Sequence, residues 1–159
     1  MAAQPLAEKV FASFRALGAE IDHLDQAAAD RFGLNRTDMR ALEVISSAGQ
    51  VAPTTLARRL GFTTGGVTSV VDRLEQAGYV RRRADTSDRR RQVLEATELS
   101  ATRELEVFGA LIGATRKLLK SYTKDQLLVV QDFLEKTYEL TAAHAGLLAR
   151  DAAAQRGRG

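Results

Sequence analysis

Residues 56–67 of the chain read LARRLGFTTGGV, with small residues at the two places where a pair of crossing helices needs them. Ala57 lets a second helix cross closely over the first, and Gly61 can take the left-handed conformation of a tight turn. Pro53 suits the first turn of the first helix, which we expect to end at Leu60. Thr63 or Thr64 can cap the second helix, whose apolar stripe has the spacing i, i+3, i+4, i+7 at Val67, Val70, Val71 and Leu74. The segment therefore predicts a helix-turn-helix.

The outward face of the second helix carries the residues that we expect to contact DNA. In a helix-turn-helix, the N-terminal half of the second helix normally enters the major groove. Gly65 and Gly66 stand where each glycine costs ~1 kcal/mol relative to alanine, which suggests that something approaches the backbone closely. Both DNA and a neighbouring helix are candidates for that role. The residues of this segment predicted to bind DNA are Thr63, Thr64, Gly65, Thr68, Ser69 and Arg73.

A β-hairpin, which we call the wing, is predicted directly after the helix-turn-helix. Residues 79–83 have the character of a strand, residues 85–88 are typical of a turn, and residues 91–96 alternate as a returning strand. An arginine run lies just past the tip, at Arg89, Arg90 and Arg91. Such a wing can reach the adjacent minor groove, whose negative potential attracts guanidinium groups. In isolation, an arginine run would fit a solvated loop as well.

Basic charge is concentrated in this part of the chain. The whole sequence of 159 residues has a net charge of +3, whereas residues 51–97 carry nine arginines against five acidic residues, a net charge of +4. Arginine is suited to both phosphate and base-edge contacts. The distribution therefore fits a DNA-binding segment, although a solvated basic face would show the same charge.

Several classes of function lack the residues they need. The sequence has no cysteine, which excludes disulfides and thiolate metal sites. Its two histidines, His23 and His144, make a poor transition-metal site. No nucleophile motif or phosphate-binding glycine motif is present, so we expect no enzyme, no cofactor and no metal. No apolar run reaches the ~18 residues of a membrane span, and the N-terminus lacks the layout of a signal peptide. We therefore expect a cytoplasmic, nucleoid-associated protein.

Helices are predicted on the N-terminal side of the helix-turn-helix. Apolar residues recur in steps of three and four over residues 6–24, which predicts an amphipathic helix that ends near Gly33. Asn35 or Thr37 can cap a second helix, which residues 48–50 break.

Helices are also predicted on the C-terminal side of the wing. The helical period returns from Glu98 and stops near Tyr122. Thr123 with Gln126 three residues later resembles a capping box for a last helix, which runs to about Leu148. The residues beyond it include no large apolar side chain, which predicts a loose tail.

Two strings carry a family resemblance. VDRLEQAGYV at residues 71–80, followed by DTSDRR at residues 85–90, resembles the MarR family of bacterial transcriptional regulators. The resemblance implies a mainly α fold with a small β wing, in which long N- and C-terminal dimerisation helices flank a winged helix-turn-helix. The divisions it implies are an N-terminal dimerisation helix (1–33), a DNA-binding lobe (34–97), C-terminal dimerisation helices (98–149) and a flexible tail (150–159).

The resemblance also implies a function. A homodimer would bind a pseudo-palindromic operator in double-stranded DNA, as a sequence-specific regulator of repressor type. Asp88 would brace the wing, and Arg90, next to Arg89, would insert into the minor groove. A pocket between the dimerisation helices and the lobe would take a small aromatic or anionic effector that releases the DNA. The sequence leaves open a regulator without an effector, and also a winged-helix protein-interaction module without DNA binding, against which the arginine run argues.

Two departures from the family pattern affect base recognition. Ser69 stands where the family often has a longer or basic residue, so its reach is short. Gly65 and Gly66 replace a more usual polar pair, which leaves fewer side chains to read bases. We therefore expect the wing to contribute an unusual share of the affinity for DNA.

Overall fold

The computed structural model describes residues 3–85, 88 and 91–156. Its elements are α1 (Ala3–Phe32), α2 (Arg36–Ala48), β1 (Gln50–Val51), α3 (Pro53–Leu60), α4 (Thr64–Gln76), β2 (Val80–Ala84), β3 (Gln92–Ala96), α5 (Glu98–Leu119) and α6 (Lys124–Arg156). The fold is mainly α with a small antiparallel sheet, which confirms the predicted fold class. The chain divides into two compact units, Met1–Val107 and Phe108–Gly159.

Local capping signals set the helix ends of the first unit. The Asn35 side chain accepts a hydrogen bond from the Asp38 backbone N at 2.9 Å at the start of α2. Thr63 Oγ1 accepts one from the Gly66 backbone N at 3.2 Å at the start of α4. Gly61 ends α3 with a φ of 68°, in the left-handed region where a side chain would be strained. In both helices, the first of the two candidate caps is the one used.

The core of the first unit is built from the helices and the sheet of the lobe. Among the described residues, five large apolar side chains are completely buried: Leu42, Ile45, Leu56, Leu74 and Leu94. The predicted apolar stripe of α4 is buried throughout. The end of α1 joins this core through Phe32, whose ring centroid lies 5.3 Å from that of Tyr79. The buried Tyr79 hydroxyl donates to the Phe32 carbonyl at 3.0 Å, so α1 is tied to the base of the wing.

The wing is the predicted hairpin, and the sheet has a third strand that the sequence did not reveal. The strands expected at 79–83 and 91–96 are Val80–Ala84 and Gln92–Ala96. β1 pairs antiparallel with β3 through Gln50 with Glu95 and Val51 with Leu94, so the strand order is β1-β3-β2. The sequence predicts only a break at residues 48–50, because a two-residue strand has no periodic pattern of its own.

The second unit comprises the end of α5 and all of α6. The predicted capping box is present: the Thr123 backbone N donates to Gln126 Oε1 at 2.9 Å, and the Gln126 backbone N donates to Thr123 Oγ1 at 3.3 Å. α6 continues to Arg156, so the predicted helix end near Leu148 is wrong. This stretch includes three consecutive alanines, whose high helix propensity favours a helix without any apolar stripe to bury.

The second unit exposes most of its apolar surface. Within residues 108–151, 154 and 155, no side chain is buried. None of the described helices has a stretch long and apolar enough to cross a membrane. Nowhere in residues 3–85, 88 and 91–156 are three or more His, Asp or Glu side chains arranged to hold a metal ion.

Candidate nucleic-acid interface

The N-terminal half of α4 presents an open surface. Thr63, Thr64, Gly65, Thr68 and Ser69 are all exposed. A Cβ placed on Gly65 would meet no atom of the described residues within 4 Å. Packing against a described helix of the same chain therefore does not explain this glycine.

Contacts within the chain explain the glycine at position 66. A Cβ at this position would lie 3.3 Å from Thr63 Oγ1, the oxygen that caps the helix. The glycine therefore leaves room for the cap. The two glycines, which look equivalent in the sequence, thus have different surroundings.

The two hydroxyl side chains of this surface are held against their own helix. Thr68 Oγ1 donates to the Thr64 carbonyl at 3.1 Å, and Ser69 Oγ donates to the Gly65 carbonyl at 3.2 Å. Each hydroxyl oxygen can still accept a hydrogen bond from outside. The surface therefore offers short acceptors and an accessible backbone.

Arg73 pairs with α2, although its side chain remains 47% exposed. Its Nε and Nη2 donate to the two carboxylate oxygens of Asp38 at 2.8 and 2.6 Å. The Asp38 side chain is only 3% exposed, and it also accepts from Asn35 Nδ2 at 2.8 Å. The hydrogen bond to Asp38 raises the pKa of Arg73 above its ordinary value. This predicted DNA contact therefore has two of its donors committed to joining α4 to α2.

Most of the described arginines of residues 51–97 are paired within the chain. Seven of the nine are described, and five of these face a carboxylate: Arg73, Arg81, Arg82, Arg83 and Arg91. Arg58 and Arg59, in the last turn of α3, are exposed and have no ion pair with any described residue. The number of arginines counted from the sequence therefore overstates how many guanidinium groups are free to contact DNA.

Glu95 anchors the base of the wing. It lies on β3, is 8% exposed, and accepts from Arg81 Nε at 3.1 Å and Arg83 Nη1 at 3.4 Å. Gln50 Nε2 donates to its other oxygen, so the carboxylate ties all three strands together. Burial alone would raise the pKa of Glu95, but the hydrogen bonds from Arg81, Gln50 and Arg83 outweigh it and leave the pKa below its ordinary value. Glu95 therefore remains ionised near neutral pH.

The described part of the wing tip includes Asp88. Its carbonyl accepts from the Arg91 backbone N at 2.8 Å, and its carboxylate lies 3.5 Å from Arg91 Nε. The Asp85 backbone N donates to the Arg91 carbonyl at 2.8 Å, which closes the same loop. The bracing role of Asp88 stays a prediction. Arg89 and Arg90 lie outside the described residues, and so does their predicted contact with the minor groove.

Sequence reasoning missed the carboxylates of this lobe. Asp38, Glu75 and Glu95 hold Arg73, Arg82 and the Arg81–Arg83 pair, and none of the three was expected at the site. The signal that could have found Glu95 is the register of the hairpin, which places it directly opposite Arg81. Glu75 and Glu95 lie within residues 51–97, as Arg58 and Arg59 do, and the sequence analysis counted the charges of that segment only as a sum. Asp38 lies outside it.

Comparisons with known proteins agree with this arrangement. A family model described as MarR family matches residues 32–91. YcgE of Bacillus subtilis (strain 168), described as an uncharacterized HTH-type transcriptional regulator, is 36% identical over 127 residues, which cover 80% of this chain and 82% of YcgE.

Two solved structures show the same fold. A mutant form of MepR from a multidrug-resistant S. aureus clinical isolate has a TM-score of 0.65 at 15% identity, covering 83% of this chain and 96% of MepR. FabT of Streptococcus pneumoniae, solved in complex with DNA, has a TM-score of 0.61 at 19% identity, covering 86% of this chain and 97% of FabT. At such identities the likeness shows the fold alone. Together with the extensive identity to YcgE, the winged helix-turn-helix described above establishes that this chain belongs to the MarR family of DNA-binding transcriptional regulators.

Proposed function

We propose that this chain is a repressor that binds a pseudo-palindromic operator as a homodimer. Each subunit places α4 in a major groove and its wing in the neighbouring minor groove. Two-fold symmetry then separates the half-site centres by about 10 bp or a multiple of that distance. The observation that carries the proposal is the open surface at the start of α4, where a Cβ on Gly65 would meet no other described side chain or element within 4 Å. The DNA-bound FabT structure supports it through the shared fold.

The arginines of the lobe have different roles in this proposal. Arg58 and Arg59 contact phosphate, because the first helix of a helix-turn-helix crosses the DNA backbone and these two are exposed and unpaired among the described residues. Arg73 holds α4 against α2, in place of the DNA contact that the sequence suggested. Arg89 and Arg90 keep their predicted minor-groove role. Bound to its operator, the protein is part of the nucleoid.

The dimer is supported by where apolar surface is exposed. Every large apolar side chain that the described residues expose lies on α1, α5, α6 or the α5–α6 turn, and none lies in the lobe between α1 and α5. Contiguous exposed apolar surface marks interaction sites. On α1, the exposed stripe includes Val10, Leu17 and Ile21. We propose that these helices pair with their copies from a second subunit.

Binding to duplex DNA should weaken steeply as salt rises. Each phosphate contact contributes a slope of about −0.9 in log K against log salt concentration. We expect Arg58→Gln and Arg59→Gln each to reduce the slope by about one contact, and Arg15→Gln on α1 to leave it unchanged. Fluorescence anisotropy with a random duplex, between about 50 and 200 mM salt, makes the measurement.

The outcomes of this titration separate the alternatives. A wild-type chain that binds no duplex at low salt would favour the protein-interaction module. If both α3 variants show the wild-type slope of log K against log salt concentration, the protein binds DNA but Arg58 and Arg59 do not contact phosphate. Mapping the DNA that the protein occupies in cells then tests whether it is a repressor. Repression predicts that genes beside the occupied sites are expressed more strongly when the gene for this chain is deleted.

A cavity in the first unit supports an effector site. It has a volume of about 320 Å³, within the ordinary range for small-ligand sites. Its lining combines two arginines and two carboxylates with apolar and hydroxyl side chains, and we propose that the arginines bind the carboxylate of a small aromatic acid. Arg36 also pairs with Asp22, whereas Arg40 has no ion pair among the described residues. The lining residues are Asp25, Arg36, Thr37, Met39, Arg40, Glu43 and Phe62.

Benzoate, as a small aromatic acid, should raise the melting temperature of the free protein and weaken its binding to DNA. A ligand that binds the free form better than the DNA-bound form must shift the equilibrium away from DNA. We expect Arg40→Gln to abolish both responses, because Arg40 would pair with the carboxylate. A melting temperature and a DNA affinity that benzoate leaves unchanged would contradict an aromatic-acid effector.

A further inference from the structure

Three consecutive arginines, Arg81, Arg82 and Arg83, form the middle of wing strand β2. The register pairs Arg81 with Glu95 and Arg82 with Leu94. Because successive side chains of a strand point to opposite faces, Arg81 and Arg83 share the face of Glu95, and Arg82 lies on the other. An arginine run that looks like one basic patch in the sequence is therefore divided between two faces of the wing.

Arg82 reaches from the wing to the C-terminal half of α4. Its Nη2 donates to Asp72 Oδ1 at 2.6 Å, and its Nη1 donates to Glu75 Oε2. Its backbone N donates to Glu75 Oε1 at 2.9 Å. Glu75 thus binds both the backbone and the side chain of one residue, which fixes β2 along α4 as well as the guanidinium. The Arg82 side chain is 28% exposed, so much of its surface is covered.

The charges of this cluster do not favour a phosphate. One guanidinium faces two carboxylates, which gives the cluster of Arg82, Asp72 and Glu75 a net charge of −1. A phosphate that drew Arg82 away would leave both carboxylates uncompensated beside DNA, and like charges repel. The cluster is therefore suited to a contact between the wing and α4.

We propose that Arg82 is a positioning residue that fixes the wing against α4, and that its charge is not offered to DNA. This inference rests on the proposed DNA-binding function. Held in one geometry, the major-groove and minor-groove elements lose little conformational freedom on binding, and such preorganisation strengthens affinity. Arg82 then acts on DNA affinity through Asp72 and Glu75.

The decisive variant is Glu75→Gln, measured in the full chain by salt titration with duplex DNA. It removes a negative charge from the lobe, so simple electrostatics predicts tighter binding. A positioning role predicts the opposite: affinity falls about tenfold, the size of a typical coupling within an ion-pair network, and the salt slope stays unchanged. Arg58→Gln is the matched control, because it should reduce the slope.

Two further variants make the test specific. Arg82→Lys keeps the charge but loses the two-pronged guanidinium, and should weaken binding by a similar factor. The double variant Arg82→Lys/Glu75→Gln should bind no more weakly than the weaker single variant, because both changes break the same network. Should either single variant be unfolded at the assay temperature, Asp72→Asn replaces it and should also weaken binding.

Opposite results would overturn the inference. Tighter binding by Glu75→Gln or Asp72→Asn would show that this contact does not support DNA binding. A salt slope reduced by about 0.9 in Arg82→Gln would identify Arg82 as a phosphate ligand. A wild-type chain that binds no duplex would refute the proposed function, and the inference with it. A wild-type chain that binds with a steep slope, together with a tighter Glu75→Gln variant, would refute the inference alone.

Discussion

Replacing Leu17 with aspartate should split the proposed homodimer into monomers. Leu17 lies within the apolar stripe of α1 and is 56% exposed in the single chain. Burying one leucine contributes about 1.5–3 kcal/mol, and two-fold symmetry places the residue in the interface twice. The dissociation constant of the dimer should therefore rise by about 10²- to 10⁴-fold, since 1.4 kcal/mol corresponds to tenfold.

Ala19→Asp is the matched control for this variant. Ala19 is also exposed, and at two residues' distance it lies about 200° around α1 from Leu17, on the opposite face. Sedimentation equilibrium of the wild type and both variants gives the three dissociation constants. Equal dissociation constants for the two variants would exclude the α1 stripe from the interface.

The same pair of variants connects dimerisation to DNA binding. A monomer binds one half-site with one lobe, whereas a dimer gains the second contact as an intramolecular event. Leu17→Asp should therefore lose most of its preference for a palindromic duplex over a random one, while Ala19→Asp should keep it.

The helices of the lobe could be predicted from the sequence because their signals are local. Pro53 and Gly61 delimit α3, and Thr63 begins α4, through backbone conformation and a hydrogen bond within one turn. The apolar stripe of α4 is equally local, since its members recur every three or four residues. The same kind of signal predicted the capping box at Thr123.

The roles of the arginines could not be predicted, because their partners are distant in the sequence or depend on strand register. Asp38 and Arg73 are 35 positions apart, and they meet only once α2 packs against α4. Glu95 can hold Arg81 and Arg83 only in the register that the hairpin adopts. A sum over charges treats a paired and an unpaired arginine alike. The sequence therefore placed Arg73 among the predicted DNA contacts but gave no sign of its ion pair with Asp38.

The C-terminal end of α6 could not be predicted from apolar periodicity. The sequence predicts a loose tail from residue 150 because no large apolar side chain follows. Helix propensity without burial nevertheless extends α6 to Arg156. Apolar periodicity finds helices that bury a face, and it is silent about helices that continue into solvent.

Gly65→Ala should make the protein more stable and a weaker DNA binder. A Cβ at this position meets no atom of the described residues within 4 Å, so alanine fits and gains up to about 1 kcal/mol of helix propensity. In the complex, the added methyl group lies where we propose that DNA approaches the backbone. Overpacking costs about 1–3 kcal/mol, so affinity should fall by about 5- to 150-fold.

Thermal unfolding and anisotropy on the same samples measure the two effects, and their opposite signs separate the explanations for this glycine. Gly66→Ala is the control, because its methyl group would press on Thr63 Oγ1, the cap of α4, and should lower stability. If Gly65 were needed only for helix packing, alanine would lower both the stability and the DNA affinity, because a destabilised lobe binds DNA less well. A more stable Gly65→Ala protein with unchanged affinity would place the DNA backbone away from the start of α4, and would leave Thr68 and Ser69, with their short hydroxyls, without a base within reach.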